Sequence, residues 1–208
     1  MVELLLKHHM DVNIYDGDRP AIDCCAKDGS TPLMYASLTG HLDVVRLLLQ
    51  SGITVDACDN DGWTALIGAS VGGHLEVVCL LMQSDAAVDS PTNDGETALM
   101  VVSEAGHLDV VNLLLQSDAA VDSCDNDGQT PLMFASVEGH LDVVRLLLQN
   151  DATVDSLDND GWSPLIFASE RGHRDVVCLL LGAKESHRDI GLTLPGGASP
   201  FQSLSVVR

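Results

Sequence analysis

The chain has 208 residues, of which 46% are apolar, 20% charged and 3% aromatic. That aliphatic content excludes disorder throughout, and the scarcity of aromatics leaves a core of Leu, Val, Ala and Met. Ten basic residues against 31 acidic ones give a net charge of -21, which argues against nucleic acid or an anionic membrane as partner and for a basic protein surface.

From the N-terminus, Val2 and the acidic Glu3 precede a Leu4-Leu5-Leu6 run too short for an export signal. No stretch along the chain reaches the about 18 consecutive apolar residues of a membrane span. Val2 to Leu6 read instead as the second helix of a repeat that lacks its first. Val12-Asn13 and Ile22-Asp23 both look like the start of a finger loop, yet lie only 10 residues apart. Residues 1–27 are therefore expected to form a truncated, irregular repeat.

A strict period begins at Asp28. Asp-Gly pairs stand at 28–29, 61–62, 94–95, 127–128 and 160–161, and Gly-His pairs at 40–41, 73–74, 106–107, 139–140 and 172–173. The 33-residue beat divides the chain into 28–60, 61–93, 94–126, 127–159 and 160–181. Within a unit, Thr31 caps a helix whose first position is Pro32, and Leu33, Ala36 and Ser37 share one face. Gly40 closes that helix, and His41-Leu42-Asp43 opens a second with an acidic first turn. Val44, Leu47 and Leu48 are its expected buried stripe. The chain then extends through Val55 to the turn at Asp61-Gly62. Two such short helices cannot bury their faces alone, so neighbours must stack.

The six cysteines fit the same copying. Cys58 and Cys124 are 66 residues apart, Cys79 and Cys178 are 99 apart, and there is no C-x-x-C pair. Multiples of 33 are a product of repetition, not a disulfide or zinc framework. Reduced thiols and a cytoplasmic protein are expected, with the nucleus as second compartment. Beyond Leu181 the pattern stops, and Leu194-Pro195-Gly196-Gly197 mark residues 182–208 as an expected flexible tail.

Thr31-Pro32-Leu33, Thr130-Pro131-Leu132, the Gly-His-Leu-Asp-Val-Val run and the Leu-Leu-Leu run closely resemble the ankyrin repeat, from Met1 to about Leu181. The resemblance implies an all-α solenoid of stacked helix-turn-helix units with β-hairpin-like finger loops. One departure is consistent: the His that usually follows Thr-Pro-Leu is Met34, Ile67, Met100, Met133 and Ile166, so apolar contact is expected to replace its hydrogen bonds. Repeat 28–60 matches repeat 127–159 at 24 of 33 positions, and Trp63 recurs as Trp162, which points to duplication of a three-repeat block. Neither end carries a polar capping repeat, so a fragment of a longer array is one expectation.

Periodic histidines do not make a metal centre. Equivalent positions of stacked helices lie about 8–10 Å apart, whereas zinc needs each nitrogen within about 2.1 Å. The Asp-Asn-Asp-Gly turns resemble the middle of a calcium loop, but the twelfth position holds Gly68, Phe134 or Phe167 where a bidentate Glu is required. No nucleotide, protease or hydrolase motif occurs, so no catalytic residue, metal or cofactor is expected.

What the resemblance leaves is a surface, at the finger tips and the exposed, concave side of the first helices. Carried onto this chain, it comprises Lys27, Asp28, Ser30, Leu38 and Thr39, then Asn60, Asp61, Trp63 and Val71. It continues through Asn93, Asp94, Glu96 and Glu104, then Asn126, Asp127, Gln129, Val137 and Glu138, and ends at Asn159, Asp160, Trp162, Glu170 and Arg171. Drift at unconstrained sites would produce the same variety, but Trp63 and Trp162 follow turns where a large ring gains little from its own repeat. Tryptophan is enriched among hot spots worth about 2 kcal/mol or more. The leading expectation is a non-catalytic module binding a partner protein with a basic patch. The alternative is a regulatory or targeting segment of a larger protein such as a channel, kinase or ubiquitin-ligase adaptor, and a third is a spacer with no dedicated ligand.

Overall fold

The computed structural model describes the backbone of residues 15–16, 19–20 and 25–191, with side chains from 25 to 184. Two short strands, β1 (Tyr15–Asp16) and β2 (Arg19–Pro20), pair antiparallel. The expected finger starts at Val12 and Ile22 lie outside the described residues.

Five helix pairs follow, one per 33-residue unit. They are α1 (Pro32–Leu38) with α2 (Leu42–Gln50), α3 (Ala65–Val71) with α4 (Leu75–Met82), and α5 (Ala98–Ala105) with α6 (Leu108–Gln116). The series ends with α7 (Pro131–Glu138) and α8 (Leu141–Gln149), then α9 (Pro164–Arg171) and α10 (Arg174–Gly191). Side-chain oxygens start three of the first helices: Thr31, Thr64 and Ser163 accept from the backbone N–H three residues on, at 3.3–3.4 Å. At each junction a left-handed Gly, such as Gly106 at φ 78°, turns the chain into the second helix.

The core is one aliphatic seam running through all five units, with Leu33, Leu66, Leu99 and Leu132 from the first helices and Leu48, Leu81, Leu114 and Leu147 from the second. The second-helix stripe differs from the expected one. Val45 is buried, Val44 is half-buried and Leu47 is 40% exposed. A Val-Val pair next to three leucines is apolar nearly all round, so periodicity alone does not select the inward positions.

Stacking is held by polar ladders as well as by apolar contact. The histidine rings of His74, His107, His140 and His173 hydrogen-bond the carbonyls of Leu38, Val71, Glu104 and Val137 in the preceding unit, at 2.8–3.1 Å. These rings are therefore staples between repeats. The Asp of each Val-Asp step does the same for the next finger. Asp56 accepts from Ala87 N–H at 2.9 Å, Asp89 from Ala120 at 3.1 Å and Asp122 from Thr153 at 2.9 Å. Asp155 pairs with the Lys184 ammonium instead.

Met34 and Met100 are not purely apolar substitutes at the usual His position. Their sulfurs accept the N–H of Thr31 and Thr97 at 3.3 and 3.4 Å, a weak version of the replaced hydrogen bond. At the other end, α10 continues past Leu181 to Gly191, because Ala183, Lys184 and Glu185 are good helix formers and Gly182 alone does not break the run. The remainder of the expected tail, 192–208, lies outside the described residues.

Candidate functional site

Three of the described fingers are tight hairpins, each built by one aspartate side chain. Asp59 N–H donates to Trp63 carbonyl at 3.0 Å, and the Asp59 carboxylate receives the N–H groups of Asp61 and Trp63 at 3.0 and 2.8 Å. Asp125 and Asp158 repeat this arrangement, receiving Gln129 and Trp162 N–H at 2.7 Å. Local carboxylate-to-amide bonds of this kind favour turns over strands or helices. They hold the tip residue and the residue two positions later at fixed places in these three fingers, and in the Asp94 finger the Thr92 hydroxyl receives the Glu96 N–H alone, at 3.1 Å.

The residues expected to bind a partner then divide by what the stack already asks of them. Asn60, Asn93, Asn126 and Asn159 are exposed, but their side-chain amides donate to the carbonyls of Lys27, Asn60, Asn93 and Asn126 at 3.4, 2.8, 2.9 and 3.0 Å. They form an asparagine ladder along the tips. Asp61, Asp94 and Asp127 give the next finger only their backbone carbonyls, which accept from Asn93, Asn126 and Asn159 at 2.9 Å. Their carboxylates, with that of Asp160, are exposed on the outer rim.

Trp63, Glu96, Gln129 and Trp162 occupy one position in four successive fingers, and all are half-buried. Trp63 packs against the core, and the Trp162 ring lies 5.2 Å from that of Phe167 at a 41° tilt. Neither tryptophan projects freely. Burial pushes the Glu96 carboxyl above the usual glutamate range, and the nearby carboxylates of Glu104, Asp125 and Asp94 push the same way. Asp28 is shifted down by the hydrogen bond it accepts from Ser30 N–H. On the first helices, Glu104, Glu138, Glu170 and Arg171 are exposed, while Val71 and Val137 are half-buried and lend carbonyls to the histidine staples.

Two residues of this surface escape motif reading. Tyr35 and Gly68 hold the position where later repeats carry Val101, Phe134 and Phe167. Tyr35 is 51% exposed, and Gly68 leaves a groove beside it lined by Leu38, Asp59, Asp61 and Trp63. The signal was present in the sequence as a periodic column in which one member lacks a side chain.

A family model of ankyrin repeats, in three copies, matches residues 1–92, 52–123 and 99–192. The chain belongs to the ankyrin-repeat family. Ankyrin repeats are generally protein–protein interaction modules and typically non-catalytic. Comparison with curated proteins gives no match. Among the described residues of this ankyrin array, no helix is long and apolar enough to cross a membrane.

Proposed function

We propose that this ankyrin array is a non-catalytic module that binds a basic surface of another protein across its finger tips and the exposed side of its first helices. The observation that carries the reading is a division of labour at the tips. The asparagine amides are committed to the neighbouring finger, whereas the carboxylates of Asp61, Asp94, Asp127 and Asp160 face solvent in a row. Glu96, Glu104, Glu138 and Glu170 add negative charge beside that row. Cys58, Cys79, Cys124 and Cys178 carry free thiols, which suits the reducing cytoplasm or nucleus.

The test is affinity capture from cell extract with the full chain and with a variant carrying Asp61→Asn, Asp94→Asn, Asp127→Asn and Asp160→Asn. These exposed positions use only backbone atoms in the stack, so the variant is expected to fold as the parent does. A protein retained by the parent at low salt, carrying a basic surface and lost by the variant, supports the reading. Equal retention by both chains contradicts it.

A further inference from the structure

In one column of the first helices, a single unit carries no side chain. Gly68 sits in the column that elsewhere carries Tyr35, Val101, Phe134 and Phe167, and a Cβ placed there would meet Leu38 at an ordinary 3.5 Å. The space is therefore open because a side chain is missing, not because the backbone closes it off. It forms a groove of about 220 Å³ with Tyr35, Leu38 and Trp63 as apolar walls. This is below the about 300–1,000 Å³ of sites that enclose a whole small molecule, and suits one or two side chains of a larger partner.

The rim decides which side chain. Asp59 and Asp61 both border the groove. Asp59 is held in place by the two N–H groups it receives on Oδ1, which leaves its other oxygen to accept from outside. The Asp61 carboxylate is exposed. An aromatic and aliphatic wall under two carboxylates matches a long cationic side chain, whose stem lies on the apolar wall while its head reaches the acids. Trp63 adds the attraction of its ring for a cation. An acidic or phosphorylated side chain would meet two like charges in a protein of net charge -21.

We propose that this groove takes one arginine or lysine side chain, with an aliphatic neighbour on Leu38, from an extended segment of the partner protein. The assignment rests on the finger face being the binding surface, and it narrows that surface to the junction of units 28–60 and 61–93. The groove lies where the column is Gly68, so it offers the array an anchoring point and a register for the partner.

The test uses a random nonapeptide library displayed on phage and selected against the full 208-residue chain. The enriched sequences are expected to carry Arg or Lys next to Leu, Ile, Val or Met. A synthetic copy of the most enriched peptide should then bind Gly68→Phe about tenfold or more weakly, as expected when a hot-spot pocket is filled. Asp61→Asn should weaken it by a few-fold and flatten its salt dependence. Phe already occupies the equivalent position at 134 and 167 and is a better helix former than Gly, so thermal unfolding of Gly68→Phe should occur no lower than in the parent. Gly68→Ala, which leaves most of the groove open, should retain binding.

Enriched peptides without a basic residue, or equal binding to the parent and Gly68→Phe, overturn the assignment. If such peptides instead lose binding on Glu96→Lys, they sit elsewhere on the finger face, and the broader reading stands without the groove. A library that yields no enriched sequence also overturns the groove as a peptide site, while the capture experiment still decides the broader reading.

Discussion

Single hydroxyls and carboxylates in this array differ in value according to one neighbouring atom. Ser103 is buried and donates to Leu99 carbonyl at 2.6 Å, whereas the buried hydroxyl of Ser70, at the equivalent position, has no hydrogen-bond partner. A buried, unsatisfied hydroxyl carries its full desolvation penalty, so Ser70→Ala should stabilise by about 1 kcal/mol and Ser103→Ala should not. Urea unfolding of the two variants checks this. Glu96 offers a second residue-scale test, since its carboxyl is raised in the folded protein. A raised acid disfavours the folded state when ionised, so stability is gained as pH falls from the folded value toward the ordinary glutamate one. Glu96→Gln should therefore be more stable than the parent at about pH 7, with the difference shrinking as pH falls toward the ordinary glutamate value and gone below about pH 4. A constant difference across that range would show that the carboxyl is not perturbed. The raised value was not legible in the sequence. It arises from half-burial, then from Glu104 on the following helix, and from Asp125, which lies 29 residues away in the chain and belongs to the next finger.

At the scale of elements, the Gly-His junction is a lock between units. Gly106 has a left-handed φ of 78°, and a Cβ there would meet the His140 ring at 2.5 Å. Gly172 has the same φ of 78° with nothing within 4 Å. Gly172→Ala should cost only the backbone strain of about 1–2 kcal/mol. Gly106→Ala should cost more, because the ring that staples to Glu104 must also move. Thermal unfolding of both variants separates strain from coupling, and equal losses would deny the histidine its stacking role. Helix order, caps and the Gly-His boundary were readable because each depends on residues within one unit. What was not readable depended on neighbours. The rings of His74 and His107 were recognised as helix starts, yet their bonds reach 36 residues back. The choice of Val45 over Leu47 likewise follows from which face the adjoining unit covers.

For the whole molecule, the period settled the fold, while the binding surface was only partly legible. Motif positions singled out Asn60, Asn93, Asn126 and Asn159 alongside the aspartates, but stacking turns those amides toward the preceding finger. The same stacking leaves Asp61, Asp94, Asp127 and Asp160 as a line of exposed charge. Neighbouring fingers are joined backbone to backbone, as where Asn93 N–H donates to the Asp61 carbonyl at 2.9 Å, and with a Debye length of about 8–10 Å charges on adjoining tips are screened only in part, so their potentials add. A partner with a basic surface should therefore be steered to this face, with charge acting chiefly on the rate of encounter.

The most direct test is the association rate of the captured partner with the parent and with the four-site aspartate-to-asparagine variant, measured from low to physiological salt. The parent is expected to associate fast at low salt and to slow steeply as salt rises, and the variant to show a slower, flatter profile. A salt-independent rate, or identical profiles for the two chains, would contradict binding through the acidic finger tips.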